Sequence, residues 1–115
     1  MKTLMIGIMC MITTGLLVTS AFAGGDIEKG KALFNDTTFA GATSGNSCNT
    51  CHPNGSGLEN AGDKKEFNIM GKKQNSLEEA VNVCIVMAIK GKAIDTMSNQ
   101  MKDIVAYIKS LKGKS

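Results

Sequence analysis

Apolar residues in this chain fall into one long run and three helix-spaced stretches. The run is "LMIGIMCMITTGLLV", residues 4–18. In "GGDIEKGKALFND", Ile27, Lys31 and Phe34, or Gly30 and Phe34, recur at helical spacing, with Asp26 placed as N-cap. From Thr37 to Gly62 the chain is rich in Gly, Ser, Thr and Asn, so it reads as loop with at most a short helical turn around Cys48 and Cys51. "DKKEFNIMGKKQN" is polar, with Phe67, Ile69 and Met70 available to fold back on a core. "SLEEAVNVCIVMAIKG" is the clearest helix. Ser76 and Glu79 form a capping-box pattern, Glu78 and Glu79 suit the positive end, and Gly91 is the expected stop. A last helix starts near Ser98, with Met101, Ile104, Val105, Ile108 and Leu111 as its apolar stripe. No repeat and no strand pattern stands out. The expectation is an all-α domain of three to four short helices.

The first run is not read as part of that domain. Met1 and Lys2, the apolar run and Ala21-Phe22-Ala23 before Gly24 have the order of a secretory signal with a small-x-small cleavage site. Thr13, Thr14 and Gly15 interrupt the run, which favours cleavage over a retained membrane anchor. Met9 is too large for the position before a lipidated Cys10. The expectation is a signal peptide over residues 1–23, one domain over residues 24–115, and a periplasmic location without stable membrane insertion. An uncleaved signal would leave the protein membrane-anchored.

Composition narrows the class further. A domain of this size, with Phe34, Phe39, Phe67 and Tyr107 as its aromatics, has a thin core and is expected to need a staple. Without Lys2 the charge falls from +3 to +2. There is no arginine and no basic block interleaved with aromatics, so nucleic acid is not an expected partner.

The chemistry is concentrated in "SCNTCHPNGSG", which holds the chain's one histidine. Three readings compete. A redox dithiol of Cys48 and Cys51 normally sits on a strand-to-helix turn, and no such sheet is expected here. Structural zinc could draw on Cys48, Cys51, His52 and Cys84, but adjacent Cys51 and His52 are poorly placed for two corners of one tetrahedron. Covalent haem matches the spacing. Two thiols three positions apart can each add to one vinyl edge of a porphyrin, and the following imidazole can reach the iron. Cys48 and Cys51 are then the thioether residues and His52 the proximal ligand.

With "GKALFND", "SCNTCHPNG" and "IVAYIKSLK" in that order, the chain resembles small monohaem c-type cytochromes over most of residues 24–115. The resemblance implies a cytochrome c-like fold around one covalent haem c. It also implies a crossing of the first and last helices where Gly30, Phe34 and Tyr107 meet. Many such cytochromes orient the ligating histidine with a proline carbonyl further along the chain, whereas Pro53 directly follows His52 here. The second half, "LEEAVNVC" with "KGKAI" and "SNQMKDIVAYIKSL", is similar to the haem domains of thiosulfate dehydrogenase and of sulfur-oxidising cytochromes. The interval before Cys84 is shorter here, and Met87 stands near the place of an arginine those enzymes commonly carry.

The second axial position has four sulfur candidates: Cys84, Met87, Met97 and Met101. Methionine on a helix stripe is ordinarily core packing, which accounts for Met101. Met97 lies just before the last helix, where small cytochromes generally present a methionine. Cys84 would be left unpaired once Cys48 and Cys51 carry thioethers, so it is either buried or chemically used. The related sulfur enzymes use a matching cysteine on iron, and this places Cys84 first and Met97 second. The expected function is one-electron transfer with redox partner proteins. The alternative is a haem subunit of a sulfur-compound (thiosulfate) oxidising enzyme that works with a partner cytochrome.

Overall fold

The computed structural model describes residues 25–113. The signal segment assigned to residues 1–23 lies outside the described residues. Among these described residues four helices carry the fold: α1 (Ile27–Asn35), α2 (Cys48–Cys51), α3 (Leu77–Met87) and α4 (Asn99–Ser110). Three single 3₁₀ turns, at Phe39–Gly41, Pro53–Gly55 and Ala61–Asp63, punctuate the long connection between α1 and α3.

The caps explain where the longer helices begin. Asp26 Oδ1 accepts from the N–H groups of Glu28 and Lys29 at 2.9 and 3.2 Å, and Ser98 Oγ accepts from Met101 N–H at 3.2 Å. Ser76 Oγ accepts from Glu79 N–H at 3.1 Å, while the Glu79 carboxylate reaches back one residue further, to Asn75 N–H at 2.9 Å. The end of α3 differs from expectation. The helix stops at Met87, and Lys90, with φ 58°, takes the left-handed position instead of Gly91. Gly91 answers a different need. A Cβ there would come within 2.9 Å of the Ala40 carbonyl, which accepts the Lys92 N–H.

The all-α expectation is incorrect. β1 (Phe67–Ile69) and β2 (Lys72–Gln74) form an antiparallel hairpin in which Phe67 faces Gln74 and Ile69 faces Lys72. Its two-residue turn is Met70-Gly71, with φ 53° and 79°. Positive φ at both central residues is the turn geometry whose twist suits a hairpin, and it is normally announced by Asn-Gly or Asp-Gly. Methionine in the first position hides the signal. The protein is a helical domain with one small hairpin.

The core forms where α1 crosses α4. Gly30 lies against the backbone of α4, and a Cβ at Gly30 would collide with the Asp103 carbonyl and meet Tyr107 Cβ at 2.9 Å. Beside it the Phe34 and Tyr107 rings meet edge to face, centroids 5.1 Å apart at 60°, a geometry favoured by the ring quadrupoles. Met101, Ile104, Val105 and Ile108 carry this contact inward to Ile85 and Ile89. Gly30→Ala should destabilise the fold by about 2 kcal/mol, the overpacking cost exceeding the roughly 1 kcal/mol that alanine gains in a helix. Thermal unfolding followed by circular dichroism checks it, with the midpoint expected to fall by roughly 10 °C.

Candidate functional site

α2 is one helical turn entered through Ser47, whose N–H donates to Thr50 Oγ1 at 2.9 Å. A single turn places residues three apart on one side, so Cys48 and Cys51 are neighbours along it. His52 closes the turn, its N–H donating to the Cys48 carbonyl at 3.0 Å. The chain then reverses through Asn54 and Gly55, both left-handed at φ 53° and 80°. Asn54 N–H is held by Asn49 Oδ1 at 2.7 Å. Gly55 must also lack a side chain, because a Cβ would run into Leu111.

This reversal brings the Ser56 carbonyl to 2.9 Å from His52 Nδ1. A carbonyl only accepts, so Nδ1 carries a proton, and in the neutral imidazole this tautomer has its lone pair on Nε2. A partner on one ring nitrogen fixes both the tautomer and the ring orientation of a ligating imidazole. The carbonyl on Nδ1 here is that of Ser56, not of a proline. "NGSG" was its only trace in the sequence: a tight turn returning to a residue four positions earlier.

His52 and Cys48 line a cleft with about 500 Å³ between its walls, solvent at the mouth included. Its interior proper is about 90 Å³, below the usual range of a preformed small-molecule site. The opposite wall is α3, through Ala80, Val81 and Cys84, and α4 supplies Ile104 and Ile108. Phe67 and Ile69 of the hairpin form another side. They are cleft residues that helical periodicity could not reveal, because their placement depends on the missed turn.

The candidates separate cleanly. Cys84, half-buried, lines the same cleft as Cys48 and His52. Cys51 is exposed at the end of α2 and is not one of the lining residues. Met97 is 72% exposed and lines a different hollow, with Glu78, Lys102 and Val105. Met87, 45% exposed, faces a third hollow beside Met70 and Val83. Met101 is fully buried in the core. Among the described residues, then, Cys48 and Cys84 are the sulfur-bearing side chains in the His52 cleft. No group of three or more His, Cys, Asp and Glu side chains among the described residues is arranged to hold a bare metal ion.

The thiols carry the mark of this setting. Burial, and then the charge of Cys84, push the Cys48 thiol up to about 11. Burial, and then the charge of Cys51, raise Cys84 as well. Both groups hold their protons more tightly folded than unfolded. The stability they contribute is therefore complete below about pH 9, where a free thiol titrates, and is lost as pH climbs through the folded values. In the full chain made without a prosthetic group, alkylation of Cys48 should stay slow at pH 8 and rise about tenfold per pH unit up to its folded pKa. Peptide mass spectrometry after timed iodoacetamide labelling measures this, and equal rates at Cys48 and Cys51 would contradict it. No family model matches the chain, and neither a curated protein nor a solved structure matches it.

Proposed function

We propose that this protein is an exported one-electron carrier of the c-type cytochrome kind. Cys48 and Cys51 would hold one haem through thioethers and His52 would ligate its iron. The observation that carries the reading is the His52 Nδ1–H bond to the Ser56 carbonyl. It leaves Nε2 as a free donor beside a C-x-x-C turn, in a cleft walled by aliphatic and aromatic side chains. When bound, the haem supplies an iron that changes oxidation state by one electron. The chain's residues do the rest. Ser56 holds the imidazole in its donor tautomer, while Phe34, Phe67, Ile104 and Ile108 supply apolar walls that keep water from one side of the cleft. Cys84 would be the second residue to hold the iron, supported by its place in the same cleft as His52. A thiolate there lowers the reduction potential and a methionine raises it.

Among the described residues no helix is long and apolar enough to cross a membrane. The periplasmic location rests on residues 1–23 and belongs to the proposal. Cys84 in the cleft also keeps alive the second reading, a haem subunit in thiosulfate oxidation, because that chemistry would use a sulfur ligand at this place. Electron transfer is preferred because the chain has a single haem-type motif and such enzymes generally pair two haems.

Mass spectrometry of the chain expressed with haem-maturation machinery should show one covalent haem and the loss of residues 1–23. A haem-free mass would overturn the reading. Cys84→Met should keep the haem and raise the midpoint potential by an appreciable part of the roughly 0.8 V that axial ligands span. An unchanged potential and ferric spectrum would remove Cys84 from the iron. Thiosulfate turnover by the isolated protein would favour the enzyme over the carrier.

A further inference from the structure

Between α3 and α4, residues 88–98 have no regular structure. Several bonds tie down the start of this segment: the Ile89 carbonyl accepts from the N–H groups of Thr43 and Ser44, each at 3.2 Å, the Lys90 carbonyl accepts from the Thr43 hydroxyl at 3.1 Å, and Gly91 N–H donates to the Ile85 carbonyl and Lys92 N–H to the Ala40 carbonyl, each at 2.8 Å. Its end is closed locally, where Asp95 accepts from Met97 N–H at 2.8 Å and from Ser98 N–H at 3.0 Å. Among the described residues, the hydrogen bonds that fasten residues 93–97 to another element come from Asn82. Its Nδ2–H donates to the Ile94 carbonyl, and Ile94 N–H donates to its Oδ1, both at 2.8 Å and partly buried. The side-chain amide thus pairs with both backbone groups of one residue, as a neighbouring strand would.

Asn82 stands on α3 two residues before Cys84, and Ile94 lies three residues before Met97. The grip therefore connects the helix that presents Cys84 to the segment that carries the competing sulfur. Met97 is held in the hollow beside Lys102 and Val105, apart from the cleft of His52 and Cys84. We propose that Asn82 is a positioning residue which selects the sulfur facing His52, keeping Met97 out of the cleft and leaving that place to Cys84. This rests on the haem reading above. Without the amide, Ile94 is left with an unpaired donor and acceptor in a partly buried place. Exposing them to water becomes favourable, and residues 93–97 are released. An unbranched methionine on a freed segment has the reach and the soft donor atom to compete for iron.

The test uses holoprotein carrying Asn82→Leu, alone and combined with Met97→Ala. Ferric absorption spectra and potentiometric titration are the readouts, and circular dichroism checks the fold. Asn82→Leu should show the charge-transfer signature of methionine ligation and a raised midpoint potential, and both should vanish in the double variant. If Asn82→Leu does not fold, Asn82→Asp, which keeps an acceptor for Ile94 N–H, is judged by the same criteria. Spectra and potential equal to the parent in a folded variant would overturn the proposal. So would a change that survives Met97→Ala, or methionine ligation already present in the parent. A parent without covalent haem removes the underlying reading as well. A haem-loaded variant indistinguishable from the parent removes the role of Asn82 alone.

Discussion

Gly30 against the Asp103 carbonyl is the contact on which the rest of the domain depends. Two helices can pass this closely only where one of them has no side chain. Once α1 lies on α4 at that point, the rotation of both helices is set. Phe34 then meets Tyr107 on one side and reaches the cleft on the other, and Ile104 and Ile108 turn toward His52. The back wall of the candidate site is thus a direct extension of the helix crossing. A domain this short has little other core from which to build one.

The site itself comes from local chain reversal. Asn54 and Gly55 adopt left-handed backbone, which brings the Ser56 carbonyl to the imidazole Nδ1. The same cleft holds Cys48 and Cys84 as neutral thiols, because apolar walls disfavour their charged forms. Cys48 and Cys84 thus share one apolar cleft with His52, whose Nδ1 is held by the Ser56 carbonyl. This is the physical basis of the proposed electron carrier.

Legibility followed the range of the interactions. Asp26 and Ser76 were recognisable as caps because a cap is a bond within four residues. The hairpin was not legible. Its register depends on positive φ at Met70, a residue whose side chain gives no hint of that conformation. At the end of α3 the glycine was visible but its purpose was not. Gly91 makes room for the Ala40 carbonyl, half the chain away, while Lys90 takes the strained backbone.

The sequence alone determined the placement of the three longer helices, the pairing of Cys48, Cys51 and His52 on one short turn, and Cys84 as a leading sulfur candidate. The first two follow from spacing along a helix or from capping within a turn, which are local properties, whereas the rank of Cys84 rests on the family resemblance. The tertiary structure decided which sulfur shares the histidine's cleft, which carbonyl orients the ring, and which side chain grips the segment bearing Met97. Those choices depend on how α3, the hairpin and the 88–98 segment come together across the core, and residue spacing along one strand of chain carries no record of that.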